Sequence, residues 1–300
     1  MTEKFGLSIA LSHCHFLSTE DKNILLEKIK DLDEFLLLSI YDISVIVGKS
    51  INYKGWKPKK LYKDVKNSIR LMERYSIEMI VNTENDFPQS LIDIPNRPFA
   101  IYFRGALQKN YNALVAMVGT RRPTGAGIKA AMRISSEFAE RDVCVASGLA
   151  LGIDSFAHKG VVSNRGKTIA VLACGVENIY PRTNSRLAGR ILETGGSVIS
   201  EYAPGLPALK YRFPERNRII SGLSNSVLVV EAPEKSGALI TADYAKKQHK
   251  PVYVCAELLS SIQNKGCKKL YDNGAKAIKN ADEILNDKNV NMQKELFGEE

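Results

Sequence analysis

The sequence predicts an α/β protein: an extended Rossmann-like parallel sheet flanked by helices, with a small N-terminal helical domain ahead of it. Three observations carry this prediction. From residue 113 onward, six short runs rich in Val, Ile and Ala recur, each of strand length and almost continuously apolar. That is the pattern of strands buried on both faces. Segments with apolar residues at helical spacing separate the runs, so successive strands are joined by helical crossovers and lie parallel. Before residue 76 the periodicity is helical throughout.

Taken in order, residues 1–75 form the helical domain, in which Ile24, Leu25, Ile29, Leu32, Phe35 and Leu36 share helical spacing, as do Leu61, Val65, Ile69 and Met72. Residues 76–111 read as a connector. Phe87-Pro88, Ile94-Pro95 and Arg97-Pro98 each bias it away from helix, and it passes through Ala100–Phe103 to Gly105. The core, 112–285, places strands at 113–118, 143–146, 168–173, 197–201, 227–230 and 252–255. Ile128, Ala131, Met132 and Phe138, and later Leu187, Ile191 and Leu192, mark helices between them. Ligands of such a sheet belong at the carboxyl ends of its strands. Residues 286–300 read as an acidic tail, and nothing after 285 is long enough for a further domain.

Composition narrows the function classes. Forty-two Lys and Arg against 33 Asp and Glu leave a net charge of +9, which favours a polyanionic partner. The longest apolar run, Phe35–Ile40, is far shorter than the roughly 18–20 residues that cross a bilayer, and the first residues lack a signal-peptide pattern. The expectation is a cytoplasmic chain with no membrane contact. The five cysteines form no CxxC, and three sit in strand-like runs, as buried reduced thiols do. Adjacent side chains of His13-Cys14-His15 diverge and no second ligand cluster exists, so no metal is expected; no cofactor is expected either.

Two segments carry chemistry. The first strand ends at Gly119-Thr120-Arg121-Arg122-Pro123-Thr124-Gly125-Ala126-Gly127, where a helix opens. A turn of this kind presents backbone N–H groups and the positive end of a helix dipole to an anion. Neither GxGxxG nor a ribose-holding acid after the second strand is present, which disfavours a dinucleotide. The second segment, Lys210–Arg218, puts four cations and two aromatics into nine residues. Cations suit phosphates and flat rings suit bases, as a single strand requires. A solvated basic loop with Tyr211 and Phe213 turned inward fits the same residues equally well. Gly166-Lys167-Thr168 is not a P-loop because it precedes a strand, although Lys167 could join a cationic edge. Asp154 and His158 are spaced for one helix face. Glu201 and Glu231 each end a strand, which keeps a paired-carboxylate hydrolase in view. Aromatics and lysines also interleave over Tyr53–Lys63, either as an auxiliary nucleic-acid contact or as an ordinary solvated segment.

The ordered set Gly119-Thr120-Arg121, Ser147-Gly148-Leu149-Ala150, Gly152-Ile153-Asp154, His158, Gly166–Leu172, Gly175, Tyr180-Pro181, Ser200-Glu201, Phe213–Ser221, Glu231 and Ser236–Thr241 closely resembles the DNA-processing protein A (DprA, or Smf) family. The likeness extends over about residues 77–280. It implies a non-enzymatic protein that dimerises, binds and protects single-stranded DNA, and helps load the RecA recombinase in natural transformation. By the same resemblance Arg121, Lys210 and Phe213 line the basic pocket, with Phe213 stacking on a base. Lys167, Arg216, Asn217 and Arg218 join the pocket, and Gly119 and Thr120 supply phosphate-turn backbone.

The sequence departs from the family's pattern in three places: no glycine hairpin near Ser12–Phe16, Cys255-Ala256-Glu257 where Pro-Gly is usual, and no winged-helix segment. Two other readings stay open, a Rossmann-like nucleotide phosphoribohydrolase and an interaction module in phage defence.

Overall fold

The computed structural model describes residues 4–107, 113–287 and 290. Five helices come first: α1 (Phe5–His13), α2 (Thr19–Lys28), α3 (Leu32–Leu37), α4 (Ile40–Val47) and α5 (Pro58–Tyr75). Local chemistry sets their starts. Ser18 and Ser39 close capping boxes with Asp21 and Asp42, Asp31 caps α3, and Pro58 occupies the first turn of α5, where no N–H is needed.

β1 (Glu78–Val81), α6 (Gln89–Ile92) and β2 (Ala100–Gly105) follow. The core then alternates β3 (Leu114–Val118), α7 (Gly125–Glu140), β4 (Cys144–Ser147), α8 (Ile153–Ser163), β5 (Thr168–Val171), α9 (Ser185–Glu193) and β6 (Ser197–Ser200). It continues with α10 (Arg212–Leu223), β7 (Ser226–Val229), α11 (Gly237–Lys247), β8 (Val252–Cys255), α12 (Lys265–Asp272), β9 (Lys276–Ile278) and α13 (Asp282–Leu285). All the strands join one sheet in the order β1-β2-β6-β5-β4-β3-β7-β8-β9. β3 to β9 are parallel, as the α/β reading requires, while β2 pairs antiparallel with β6 and β1 with β2.

The stretch read as a connector therefore supplies two strands of the sheet, β1 at its edge and β2 between β1 and β6. Its prolines mask them in the sequence, and β9 is too short to show a period. The acidic tail lies almost wholly outside the described residues.

The period of two sorts each strand between two layers. Ala116, Ile169 and Val227 face one side, beneath Ile219 of α10, Ala242 of α11 and Leu270 of α12. Val115, Val145 and Leu228 face the other, beneath Phe138 of α7 and Val161 of α8. The N-terminal helices cover the rest of that second side, where Leu11, Leu25 and Val65 share a core with Tyr102, Ala170 and Val198. Ser68 ties α5 to the loop after β6 by donating to the Pro204 carbonyl at 2.7 Å.

The aromatics of the Tyr53–Lys63 segment are used in packing. Tyr53 stacks on Phe16 with centroids 4.1 Å apart, and Trp56 packs edge-on against Phe35 at 5.4 Å while donating to the Leu38 carbonyl. All five cysteines are buried and none forms a disulfide among the described residues. No described helix is long and apolar enough to cross a membrane.

Candidate nucleic-acid interface

β3 runs on to β4 at one side of it in the sheet, whereas β7 lies at its other side. This reversal of strand order leaves a crevice outside the carboxyl ends, the usual ligand position in a doubly wound sheet. A cleft of about 600 Å³ occupies it, walled by the turn after β3, the start of α10 and the start of α11.

The turn after β3 is clamped from three directions. Thr120 N–H donates to the Glu231 carbonyl at 2.7 Å, and the Thr120 carbonyl accepts from Ile153 at 3.1 Å. Thr124 caps α7 by accepting from Gly127 N–H at 3.0 Å, and donates its own hydroxyl to the Glu231 carboxylate at 3.0 Å. Glu231, 2% exposed, is thereby a structural brace for the turn. Held this way, the turn projects Arg121 into solvent over the Phe213 ring, its guanidinium carbon 5.4 Å from the centroid. Phe213 is half-buried, Tyr180 lies 5.5 Å from it ring to ring, and exposed Lys210 stands three residues before it, just ahead of α10. Asn217 lines the same wall and donates to the Gly237 carbonyl at 3.3 Å.

Three cations read as pocket members sit elsewhere or act differently. Lys167 immediately precedes β5, at the amino end of a parallel strand, so it lies at the opposite edge of the sheet from the cleft. Arg218 is turned away from the cleft by α10's helical phase, and both of its terminal nitrogens are spent on Glu201, at 2.8 and 2.6 Å. Arg216 does line the cleft floor, but it is 4% exposed and donates to the Val171 carbonyl. It lies against Gly148 and is the opposing charge for buried Asp154, which accepts from Gly148 N–H at 3.1 Å. Burial pulls the Arg216 guanidinium down to about 10, and burial also pushes Asp154 up.

Asp154 and His158 do not pair, although helical spacing put them on one face. The imidazole Nδ1 of fully buried His158 bonds the Thr168 hydroxyl at 2.7 Å. Because that hydroxyl donates to the Val145 carbonyl, Nδ1 must carry the proton. Burial holds His158 neutral, with its pKa pulled down to about 3. The unfolded chain therefore binds a proton below about pH 6.5 that the folded chain refuses, so stability is full above that pH and falls as pH drops toward 3. This group alone is expected to cost about 2 kcal/mol between pH 7 and pH 5, measured by urea unfolding at each pH. His158→Gln should flatten that pH dependence; an unchanged slope would contradict this assignment.

Two further cleft features, Tyr180 and Ser236, carry no site role in the sequence, where they stand only among the family-like motifs. Tyr180 comes from the loop after β5, far along the chain from Phe213. Ser236 caps α11 by accepting from Ala238 N–H, and the positive end of that helix opens onto the cleft. A serine before a helical run was the available signal.

A mostly parallel sheet with a basic, aromatic-walled cleft at its switch point defines a protein of the Rossmann-like class. The chain belongs to the DNA recombination-mediator protein A family, which matches residues 78–289. It is 36% identical over 223 residues to protein Smf of Escherichia coli, covering 74% of this chain and 60% of that protein. It is 38% identical over 212 residues to Smf of Synechocystis, covering 69% of this chain and 53% of that protein. This chain thus spans between about half and three fifths of those relatives' lengths.

The X-ray structure of DNA processing protein A (DprA) from Streptococcus pneumoniae superposes with a TM-score of 0.73 at 30% identity, covering 95% of this chain and 97% of that one. DNA processing protein A from Helicobacter pylori, a structure that concerns that protein's single-stranded DNA binding mode, gives 0.63 at 27% identity over 75% of this chain and 98% of that one.

Proposed function

We propose that this chain binds single-stranded DNA in the switch-point cleft. Arg121 and Lys210 neutralise phosphates, Phe213 stacks on a base, and Asn217 fixes the strand's position; the Thr120 backbone, expected from the sequence to meet a phosphate, is already spent on Glu231 and Ile153 and braces the turn instead. One observation carries the reading: Arg121 and Lys210 are exposed cations with no carboxylate partner among the described residues, and both flank an accessible aromatic ring. Elsewhere Arg133, Arg141 and Arg218 are paired with carboxylates at 2.8, 2.6 and 2.6 Å. Cations left unpaired beside a ring suit a ligand that brings its own negative charge and flat faces.

Glu201 and Glu231 are committed to Arg218 and Thr124, which favours a binding protein over a carboxylate-based hydrolase. Membership of the family, and the H. pylori protein's single-stranded DNA binding, support the wider reading. In it a cytoplasmic homodimer protects incoming strands and promotes RecA loading in natural transformation.

The test separates the two kinds of contact. Arg121→Ala should lower affinity for a thymidine oligonucleotide and flatten the salt slope by about 0.7, the value for one phosphate on a single strand. Phe213→Ala should lose about 5- to 150-fold in affinity, corresponding to a stacking loss of about 1–3 kcal/mol, with the slope unchanged. An abasic oligonucleotide should be much less sensitive to the Phe213 change. Folded Phe213→Ala protein that binds normal DNA as tightly as wild type would overturn the stacking role. Wild-type affinity independent of salt would overturn the electrostatic one.

A further inference from the structure

A second cavity, of about 580 Å³, lies where the N-terminal helices meet the sheet, on the other side of α10 from the cleft. The helical phase of α10 assigns its side chains to the two sides: Phe213, Arg216 and Asn217 face the cleft, while Arg212, Glu215 and Arg218 face this cavity. The two spaces are therefore about one helix width apart, roughly 10–12 Å. Adjacent residues also bridge them, since Lys210 lines the cleft and Tyr211 the cavity. On α11, Thr241 lines one and Tyr244 the other, a turn apart.

Two largely buried cations in this cavity close no ion pair among the described residues. Lys22 of α2 is 9% exposed, and its ammonium has no hydrogen-bond or ion-pair partner among the described residues, only the Phe99 ring at 5.7 Å. Arg212 is 3% exposed and likewise has no carboxylate. It donates to the Pro207 carbonyl at 2.8 Å and to His15 at 3.3 Å, packs its guanidinium 4.4 Å over Tyr202, and leaves its Nε–H unpaired. An arginine can only donate, so His15 accepts and is neutral.

The acids around them are largely occupied. Glu201 holds Arg218, Glu215 accepts from the Tyr202 hydroxyl, and exposed Glu20 lies 3.9 Å from Arg97. Burying an unpaired ammonium costs stability, so its retention beside a second unpaired cation in a polar cavity calls for an anion that arrives from outside. Tyr211, 55% exposed at the entrance, offers a flat face to a base.

We infer that this junction cavity is a second phosphate subsite, in which Lys22 and Arg212 take a phosphodiester of the strand that leaves the switch-point cleft past Tyr211. The inference rests on the cleft binding single-stranded DNA. It makes the N-terminal helices part of the DNA-binding surface and gives the protein a longer footprint than the cleft alone.

The experiment titrates the full chain with thymidine oligonucleotides of graded length, over a range of salt concentrations. Wild-type affinity should rise in a second step once the oligonucleotide is long enough to reach beyond the cleft. Lys22→Met should abolish that step, lowering long-oligonucleotide affinity on the order of tenfold and flattening its salt slope by about 0.7, with short-oligonucleotide binding unchanged. Its melting temperature should be no lower than wild type, because an unpaired buried charge has been removed. Lys22→Arg should restore the step. Tyr211→Ala, at an exposed position that cannot threaten the core, should independently reduce long-oligonucleotide affinity on the order of tenfold.

Arg121→Ala must weaken both short and long oligonucleotides. If it weakens neither, the cleft reading fails; if it weakens both while Lys22→Met and Tyr211→Ala weaken neither, only the second subsite fails. Titration with thymidine monophosphate and with inorganic phosphate distinguishes the source of the anion. Lys22-dependent binding of either, with no Lys22 dependence for long strands, would overturn the strand path in favour of a free-anion site.

Discussion

Replacing Arg216 with methionine is expected to destabilise the protein by about 3 kcal/mol, even though its place in a basic run suggests a surface contact. The guanidinium is 4% exposed, bonds the Val171 carbonyl, and supplies the positive charge opposite Asp154. Removing it leaves a buried carboxylate with no cation, and breaking such a partnership costs about 3–5 kcal/mol. The lower end applies because the two groups do not close into a direct ion pair and Asp154 keeps the Gly148 N–H. Urea unfolding would measure the loss. Adding Asp154→Asn to Arg216→Met should recover part of it, because the stranded charge is then absent. A single variant as stable as wild type would show that Arg216 is no brace. DNA affinity of the folded fraction should change far less than in Arg121→Ala.

Gly152→Ala is expected to be comparably severe, at about 2–6 kcal/mol, and to weaken DNA binding as well. Gly152 precedes α8 at φ +80° and ψ −135°, a backbone region that L side chains avoid, which contributes about 1–3 kcal/mol of strain. A Cβ there would also stand 2.3 Å from the Thr120 carbonyl oxygen and 2.7 Å from the Arg121 Cα. These are backbone atoms that cannot swing aside, so the overpacking adds about 1–3 kcal/mol more. The displaced atoms belong to the turn that carries Arg121, so the variant should lose affinity on the order of tenfold in the oligonucleotide titration while resembling Arg121→Ala in salt slope. Wild-type stability in Gly152→Ala would mean that the turn has room to relax. Wild-type affinity in a destabilised variant would separate the turn's geometry from binding.

The fold class was legible because it depends on short-range pattern. Strands buried on both faces must be nearly continuous in apolar residues, and six of them fall within one or two residues of their places in the structure. β1 and β2 were hidden by the prolines around them, and β9 by its three-residue length. The basic turn at Gly119–Arg121 was legible for a similar reason, since its chemistry is concentrated within a few consecutive residues, whereas Lys210 and Phe213 were singled out only by the family resemblance, local composition leaving Phe213 equally able to turn inward.

Lys210–Arg218 was harder, because Pro214 argues against a helix except in a first turn, which is where it sits. Once that segment is helical, phase alone sends Arg216 toward the cleft floor and Arg218 away from it. Strand periodicity and local charge are properties of neighbours along the chain, and they were enough for the parallel α/β architecture and the basic turn; Phe213 beside that turn was reached only through the family resemblance. Only the tertiary structure decided which cations remain free. Arg218 meets Glu201, Arg216 sinks beside Asp154, Lys167 falls at the far edge of the sheet, and Lys22 is buried without a partner. Each outcome depends on burial depth and on a counter-charge brought in from a distant part of the chain.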